Sequence, residues 1–101
     1  MRKPRNPPPA HETISGVSFF DPKVARAARA WTGLEQISLA EAAHVSSHTV
    51  WKLEDDGWVT PASLTKILAA LHRCGVTFWY DDRGHPCGMT FKVRRVQKPK
   101  S

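Results

Sequence analysis

The chain has 101 residues, of which 41% are hydrophobic, and it carries a net charge of +6 and two cysteines. This length suits one small domain with a single core, and two cysteines exclude a framework of disulfides. No stretch is apolar over the roughly 20 residues of a membrane helix. The polar, proline-rich N-terminus lacks the apolar segment of a signal peptide, so we expect a cytoplasmic protein.

The positive charge is concentrated at the two ends of the chain. Residues 1–20 carry a net charge of +2, residues 92–101 carry +5, and residues 21–91 carry −1. Basic ends of this kind are typical of solvated segments that contact phosphates, although they also serve simply to keep a protein soluble. We therefore predict a flexible, basic, proline-rich arm over residues 1–20 and a basic tail over residues 94–101.

The first predicted helix begins at Asp21-Pro22, with Asp21 as the N-cap and Pro22 at the first helical position. It runs to about Thr32, and Gly33 suits the position after its end. Just before the helix, residues 14–20 are apolar enough to pack on the core or on a partner chain. The apolar stripe of this helix consists of Val24, Ala27, Ala28 and Trp31.

Two short helices joined by a tight turn follow. The first spans about Gln36 to Ala43, and the second spans about Ser47 to Asp55 with Ser46 as its N-cap. His44 and Val45 form the turn, and we expect Val45 to fill the space between the two helices. The residues predicted to be buried on these helices are Ile37, Leu39, Ala40, Ala43, Val50 and Leu53.

The last part of the chain predicts one longer helix and a β-hairpin. Thr60 caps the helix, and its apolar residues recur with helical spacing until residues 74–75. The β-prone segments 76–80 and 89–93 then flank turn residues, which predicts a hairpin over residues 76–93. A lone hairpin is only marginally stable in water, so it must pack on the helices or pair with another chain.

A set of residues in this region matches a known pattern. They are Arg29, Gln36, Leu39, Ala40, Ala43, Val45, Ser46, Thr49, Val50 and Glu54. With them, residues 24–76 resemble the Cro/phage-repressor family of helix-turn-helix proteins, also called the xenobiotic-response-element (XRE) family. The resemblance implies a mostly α, lambda-repressor-like DNA-binding domain of four to five helices over residues 21–75. It also implies a C-terminal β-hairpin or strand pair.

Two positions depart from the pattern of that family. The turn position usually held by glycine is His44, and a left-handed residue there carries a β-carbon at a modest cost, which His tolerates better than most residues. The position before Gln36, commonly Ser or Thr, is Glu35. Its carboxylate suits the positive end of a helix dipole but repels a nearby DNA phosphate.

The resemblance implies that the helix over residues 47–55 lies in the major groove of DNA and contacts base edges. Lys52 can contact a guanine or a phosphate, or it can be a solvated charge. Trp51 can contact a thymine methyl group, or it can cover the edge of the core. The residues expected to contact DNA are Gln36, Ser46, Ser47, His48, Thr49, Trp51 and Lys52.

Arg29 and Glu54 match a pair that, in the family, joins the first helix to the recognition helix. The resemblance implies an ion pair that holds the recognition helix at its angle and keeps Arg29 near a phosphate. The alternative is an exposed ion pair, which would contribute only about 0–1 kcal/mol to stability. We favour the structural role, because both partners match the pattern.

Two His-x-Cys pairs, His72 with Cys74 and His85 with Cys87, raise the alternative of a zinc site. Their spacing is not that of a standard zinc finger, and residues 72 and 74 fall on different faces of a helix end. The chain also lacks a phosphate-binding loop, a nucleophile motif and a clustered pair of carboxylates. We therefore predict no metal, no cofactor and no enzymatic activity.

The combined expectation is a bacterial or phage-type transcriptional regulator, acting as a repressor or autoregulator at the nucleoid. It binds double-stranded DNA, a palindromic operator, as a homodimer. We expect the dimer contacts on the hairpin, at Phe78, Trp79 and Tyr80. Alternatives are an antitoxin that also binds a toxin, an activator that contacts RNA polymerase, or an excision or architectural factor that bends DNA.

Overall fold

A computed structural model describes residues 13, 14 and 16–92 of the chain, which form four helices and two small antiparallel sheets. None of these helices is long and apolar enough to cross a membrane. The prediction of a helical domain followed by C-terminal strands is confirmed. The basic tail at residues 94–101 and most of the predicted arm lie outside the described residues. The helices are α1 (Pro22–Thr32), α2 (Gln36–Ala43), α3 (Ser47–Asp55) and α4 (Pro61–Arg73).

Local capping residues explain where α1 and α4 begin and end. Asp21 Oδ1 accepts a hydrogen bond of 2.8 Å from the backbone N–H of Lys23, and Gly33 ends α1 in a left-handed conformation with φ of 80°. α4 starts in the same way, because the Thr60 hydroxyl accepts a hydrogen bond of 3.2 Å from the backbone N–H of Ser63. The predicted starts of both helices and the predicted end of α1 are confirmed.

Three residues make the turn between α2 and α3. His44 has the left-handed conformation, with φ of 59° and ψ of 43°, and its N–H donates to carbonyl groups in the last turn of α2. Val45 is half-buried and packs against the core, as predicted. The Ser46 hydroxyl then accepts a hydrogen bond of 3.1 Å from the N–H of Thr49 and caps α3. The left-handed residue expected at position 44 is confirmed.

The core lies between the helices and one face of the C-terminal strands, and three residues predicted to be apolar contacts lie outside it. The Ile37 side chain is 62% exposed, because it points roughly a third of a turn away from the centre of the buried face of α2. Trp31 is 37% exposed, in the last turn of α1. Ala27 is also exposed, and Ala25 is buried in its place. The largest apolar side chains that are fully buried are Phe20, Leu39, Val50, Leu53, Leu64, Ile67, Leu71 and Val76.

Residues just before α1 form a three-stranded antiparallel sheet with the segment that follows α3. Phe20 is fully buried and meets Phe78 edge to face, with 5.3 Å between ring centroids. The flexible arm therefore does not extend to residue 20 as predicted, because Phe20 packs in the core and the strands before it are paired. Packing on the core was one of the two roles predicted for residues 14–20. The strands, in spatial order, are β1 (Thr13–Ile14), β2 (Val17–Phe19) and β3 (Trp58–Val59).

The C-terminal strands β4 (Val76–Tyr80) and β5 (Pro86–Phe91) form an antiparallel hairpin, as predicted. β5 begins at residue 86 rather than at residue 89. The reason is a short turn, which is closed by a hydrogen bond of 2.9 Å from the N–H of Asp81 to the carbonyl of His85. More of the chain is therefore available for pairing with β4 than the β-prone residues indicated.

One face of β4 is buried inside the protomer. Side chains on the strand alternate between the core and the outer face, and Phe78 and Tyr80 are only 3% and 5% exposed. These two side chains therefore cannot form the dimer contacts predicted for them, because they already fill the core of one chain. Trp79 lies on the opposite face of the strand and is half-buried.

The burial of Tyr80 predicts a loss of stability at alkaline pH. Burial raises the pKa of its hydroxyl from the ordinary value of 10.0 to about 12. As the pH rises, the unfolded chain loses this proton before the folded protein does. The contribution of Tyr80 to the free energy of unfolding is therefore fully present below pH 10 and is lost as the pH rises from 10 to about 12. Tyr80 is the single tyrosine of the chain, so tyrosinate absorbance reports it directly. We expect an absorbance midpoint near pH 12 in the folded protein, and the ordinary value there would contradict the prediction.

Candidate nucleic-acid interface

α3 presents one face to the core and the opposite face to solvent. Val50 and Leu53 are buried on the inner face, and Glu54 beside them is 5% exposed. The helical period of 3.6 residues places these three positions together and directs the positions between them outward. The exposed residues of the outer face are Ser47, His48, Trp51 and Asp55.

An aromatic pair forms the largest feature of this outer face. The rings of His48 and Trp51 stack with centroids 5.5 Å apart and an angle of 23° between their planes. They are three residues apart, which makes them neighbours on a helix surface. Trp51 is 49% exposed, so about half of its surface faces solvent, and contact with DNA stays a prediction. Both the indole and the imidazole are exposed to solvent.

Ser46 and Thr49 have a structural role at the start of α3. The Ser46 hydroxyl lies 2.8 Å from the Thr49 hydroxyl and accepts a hydrogen bond from the backbone N–H of Thr49. Both residues were predicted to contact DNA, and the structure instead engages their hydroxyl groups with each other. Ser47, the next residue, is exposed.

Lys52 forms an ion pair on the edge of the same face. Its Nζ lies 2.8 Å from Asp56 Oδ2, one turn further along the chain, with side chains 43% and 44% exposed. This hydrogen bond lowers the pKa of the Asp56 carboxyl, and a second one from the backbone N–H of Trp58 lowers it further. Lys52 is therefore neither a free solvated charge nor a cation directed outward. To contact DNA it must exchange Asp56 for a phosphate or a base.

Glu54 is the centre of a hydrogen-bonding network that joins α1, α2 and α3. Arg29 donates to both of its carboxylate oxygens, from Nε at 2.6 Å and from Nη2 at 3.0 Å, and Gln36 Nε2 donates at 3.1 Å. Hydrogen bonding to Glu54 raises the pKa of the Arg29 guanidinium. The predicted ion pair is confirmed. Because its side chains are only 22% and 4% exposed, it is not the exposed pair of the alternative interpretation.

Arg26 extends this network in a way that the sequence did not indicate. Its Nη1 donates to the backbone carbonyl of Glu54, while Arg29 Nη1 donates to the carbonyl of Leu34 at 2.9 Å. Two arginines on the same side of α1 therefore hold both the side chain and the backbone of the last turn of α3. Gln36, which was expected to contact DNA, lies in this network and braces α3 through Glu54. A hydrogen bond to a backbone carbonyl, such as that of Arg26 to Glu54, leaves no pattern of residue types in the sequence. The spacing of Arg26 and Arg29 is the one sequence signal that could have indicated it.

The two His-x-Cys pairs lie in different surroundings. His72 and Cys74 are exposed at the end of α4, and Cys87 is exposed on β5. The ring of His85 instead meets the ring of Phe19 edge to face, with 6.4 Å between centroids. Within residues 13, 14 and 16–92, no group of three or more His, Cys, Asp or Glu side chains is placed to hold a metal ion. The zinc alternative therefore gains no support from the described residues.

The described part of the chain carries no net charge, because residues 16–92 contain eight basic and eight acidic residues. The excess of positive charge belongs to the two ends of the sequence. What distinguishes α3 is therefore its exposed aromatic pair, on a helix held from behind by the Glu54 network, and not a basic patch. No model of a known protein family matches this chain, and no curated protein matches it.

Proposed function

We propose that this protein binds double-stranded DNA in a sequence-specific manner and regulates transcription as a repressor or autoregulator. In this proposal α2, the turn and α3 form the helix-turn-helix of a lambda-repressor-like domain. The observation that carries the proposal is the outer face of α3, where Ser47, His48 and Trp51 are exposed on a helix whose inner face is fixed in the core. A single helix fits the major groove of B-DNA, which is about 12 Å wide.

The chemistry of this face suits the major groove. The C5-methyl group of thymine is the apolar contact that the groove offers, and the exposed indole of Trp51 is a matching surface. An imidazole N–H of His48 can donate to N7 or O6 of guanine, and the hydroxyl of Ser47 can donate or accept. We therefore expect an operator that contains thymine next to guanine in each recognised segment.

Phosphate contacts in this proposal come from cations around the reading face. The Lys52–Asp56 pair is exposed, so exchanging Asp56 for a DNA phosphate costs about 0–1 kcal/mol. The basic residues at the two ends of the sequence supply further charge, because each phosphate contact releases counterions. Recognition by a neutral domain and attraction by basic ends are separate contributions, and the second depends on salt concentration.

Selection of bound fragments from genomic DNA by the purified protein, at a stated salt concentration, tests the proposal. We expect enrichment of a short common sequence located in promoters. Enrichment within a recombination region would favour an excision factor, and capture of fragments without a common sequence would contradict sequence-specific binding.

His48→Ala and Trp51→Ala are each expected to weaken binding to the selected site by about 5- to 150-fold, which corresponds to about 1–3 kcal/mol. Both side chains are exposed, so the melting temperature should change little. Fluorescence anisotropy of a labelled duplex measures the affinity. His72→Ala, which removes an exposed histidine at the end of α4, is the matched control and should leave the affinity unchanged.

Replacing thymine by uracil in the selected site isolates the contact assigned to Trp51, because uracil lacks only the methyl group. We expect the wild-type protein to lose affinity on the uracil duplex. Trp51→Ala should bind the two duplexes equally, because it lacks the indole that contacts the methyl group. An equal loss in both proteins would show that another residue contacts the thymine.

A further inference from the structure

β5 presents a strand edge that pairs with no other described strand. It bonds to β4 on one side only, and the sheet that they form has two strands. The residues of β5, Pro86–Phe91, include no charged side chain, and the one irregularity in the pairing lies between Trp79 and Tyr80, opposite the start of β5. Exposed edges are normally protected by charges, prolines or bulges. From residue 88 to residue 91, β5 has none of these.

The hydrogen bonds to β4 determine which backbone groups point to the free edge. The N–H of Lys92 donates to the carbonyl of Gly75 at 2.8 Å, and facing residues of an antiparallel pair alternate between bonded and non-bonded pairs. Counting back along the register, Thr90 and Gly88 bond to β4. The N–H and C=O groups of Phe91 and Met89 therefore point outward.

We propose that two copies of this chain pair through these edges, antiparallel, about a two-fold axis at Met89. In this register Met89 lies opposite its own copy, and Cys87 lies opposite Phe91 of the partner copy. The outward-facing backbone groups of Met89 then bond to its copy, and those of Phe91 face the partner strand. The two hairpins become one continuous sheet, which is more stable than an isolated pair of strands.

Charge supports a second copy as the occupant of this edge. A two-fold interface brings each strand against itself, so a charged strand would repel its copy, whereas β5 is uncharged. The turn before β5 contains Asp81 and Asp82 against a single Arg83, while Lys92 follows the strand. Antiparallel pairing therefore brings the acidic turn of one copy towards Lys92 of the other.

An exposed aromatic pair lies at the end of the same strand. The rings of Trp31 and Phe91 stack with centroids 4.6 Å apart and an angle of 14° between their planes, and each side chain is 37% exposed. This apolar surface is continuous with the free edge, because Phe91 is the last residue of β5. A second copy would cover part of it and add apolar burial to the backbone hydrogen bonds.

Light scattering of the full chain without DNA tests this proposal independently of the proposed function. We expect the mass of a dimer for the wild-type protein. Met89→Pro removes the outward N–H at residue 89 and places a proline ring at the edge without removing a bond to β4. We expect this variant to be a monomer with an unchanged circular-dichroism spectrum. A monomeric wild-type protein, or a folded Met89→Pro variant that remains a dimer, overturns the proposal.

Cross-linking tests the register without a proline. In a Cys74→Ser, Cys87→Ser background, Met89→Cys should form a disulfide-linked dimer in mild oxidant. Its Cα atom would lie about 5.5 Å from that of its copy, which is within the range that a disulfide spans. Thr90→Cys is the matched control and should form no disulfide-linked dimer, because residue 90 is offset from its copy and lies on the other face of the sheet. Equal cross-linking of the two variants, or none for Met89→Cys, overturns the register.

Discussion

Replacing Arg29 by alanine is expected to lower the free energy of unfolding by about 3 kcal/mol. The reason is the burial of its partner, because the Glu54 side chain is 4% exposed and accepts hydrogen bonds from Arg29 at both oxygens. Without the guanidinium, the carboxylate remains in the core with Gln36 as its side-chain donor. The value lies at the lower end of the range for buried pairs, because Arg29 is itself 22% exposed and water can replace part of it.

Urea unfolding at neutral pH measures this effect, and Lys52→Ala is the control. Lys52 also forms an ion pair, but the side chains of Lys52 and Asp56 are both more than two-fifths exposed. The expected loss in the free energy of unfolding is therefore about 0.5 kcal/mol or less. Arg29→Lys should recover only part of the stability, because an ammonium group cannot donate in the two-pronged geometry of a guanidinium. Equally small losses for Arg29→Ala and Lys52→Ala would contradict the structural role of the buried pair.

The same variant bears on the proposed function. Arg29 and Arg26 hold the last turn of α3 to α1, so Arg29→Ala should also weaken DNA binding under conditions where the protein is still folded. Arg29 itself donates to Glu54 and to the carbonyl of Leu34. A loss of affinity that exceeds the unfolded fraction would therefore indicate that the orientation of α3 has changed.

Helix starts could be predicted from the sequence because the interactions that determine them are local. Asp21 and Ser46 each bond to a backbone N–H two or three residues away, and such contacts do not depend on the rest of the fold. The left-handed conformation of His44 was indicated by the resemblance, because the family usually has glycine at this turn position. The Arg29–Glu54 pair is different, because its partners are far apart in the chain. It was accessible only through the resemblance of the whole pattern to a family.

The sheet partners and the face of the hairpin that is buried could not be predicted from the sequence. β3 consists of Trp58 and Val59 alone, which is too short to show any periodicity. On β4 the alternation shows that Phe78 and Tyr80 share a face, but either face can pack on the helices until the position of the strand is known. For this reason the dimer contacts predicted at Phe78 and Tyr80 are wrong, whereas Trp79 lies on the outer face. Burial of Phe78 depends on Phe20, a contact between distant parts of the chain.

Gly57→Ala is expected to lower the free energy of unfolding by about 3 kcal/mol or more. Gly57 has a φ of +84°, and a β-carbon there would lie 2.5 Å from the carbonyl oxygen of Phe20 and 2.7 Å from Cε1 of Phe19. Neither neighbour can move easily. Phe20 is fully buried and its N–H donates to the carbonyl of Gly57 at 2.9 Å, and the Phe19 ring packs on Trp58 with 5.1 Å between centroids.

Gly33→Ala separates the two causes of this loss. Gly33 has almost the same φ, +80°, but a β-carbon there would meet no atom within 4 Å. Its replacement should therefore cost only the left-handed strain, about 1–2 kcal/mol. The additional loss in Gly57→Ala measures the contact that holds β2 against the end of α3. If urea unfolding showed equal losses of stability for Gly57→Ala and Gly33→Ala, β2 could move away from residue 57 without lowering the free energy of unfolding. In that case Phe20 would not anchor the N-terminal strands to the core, and the sheet would contribute little to the position of α3.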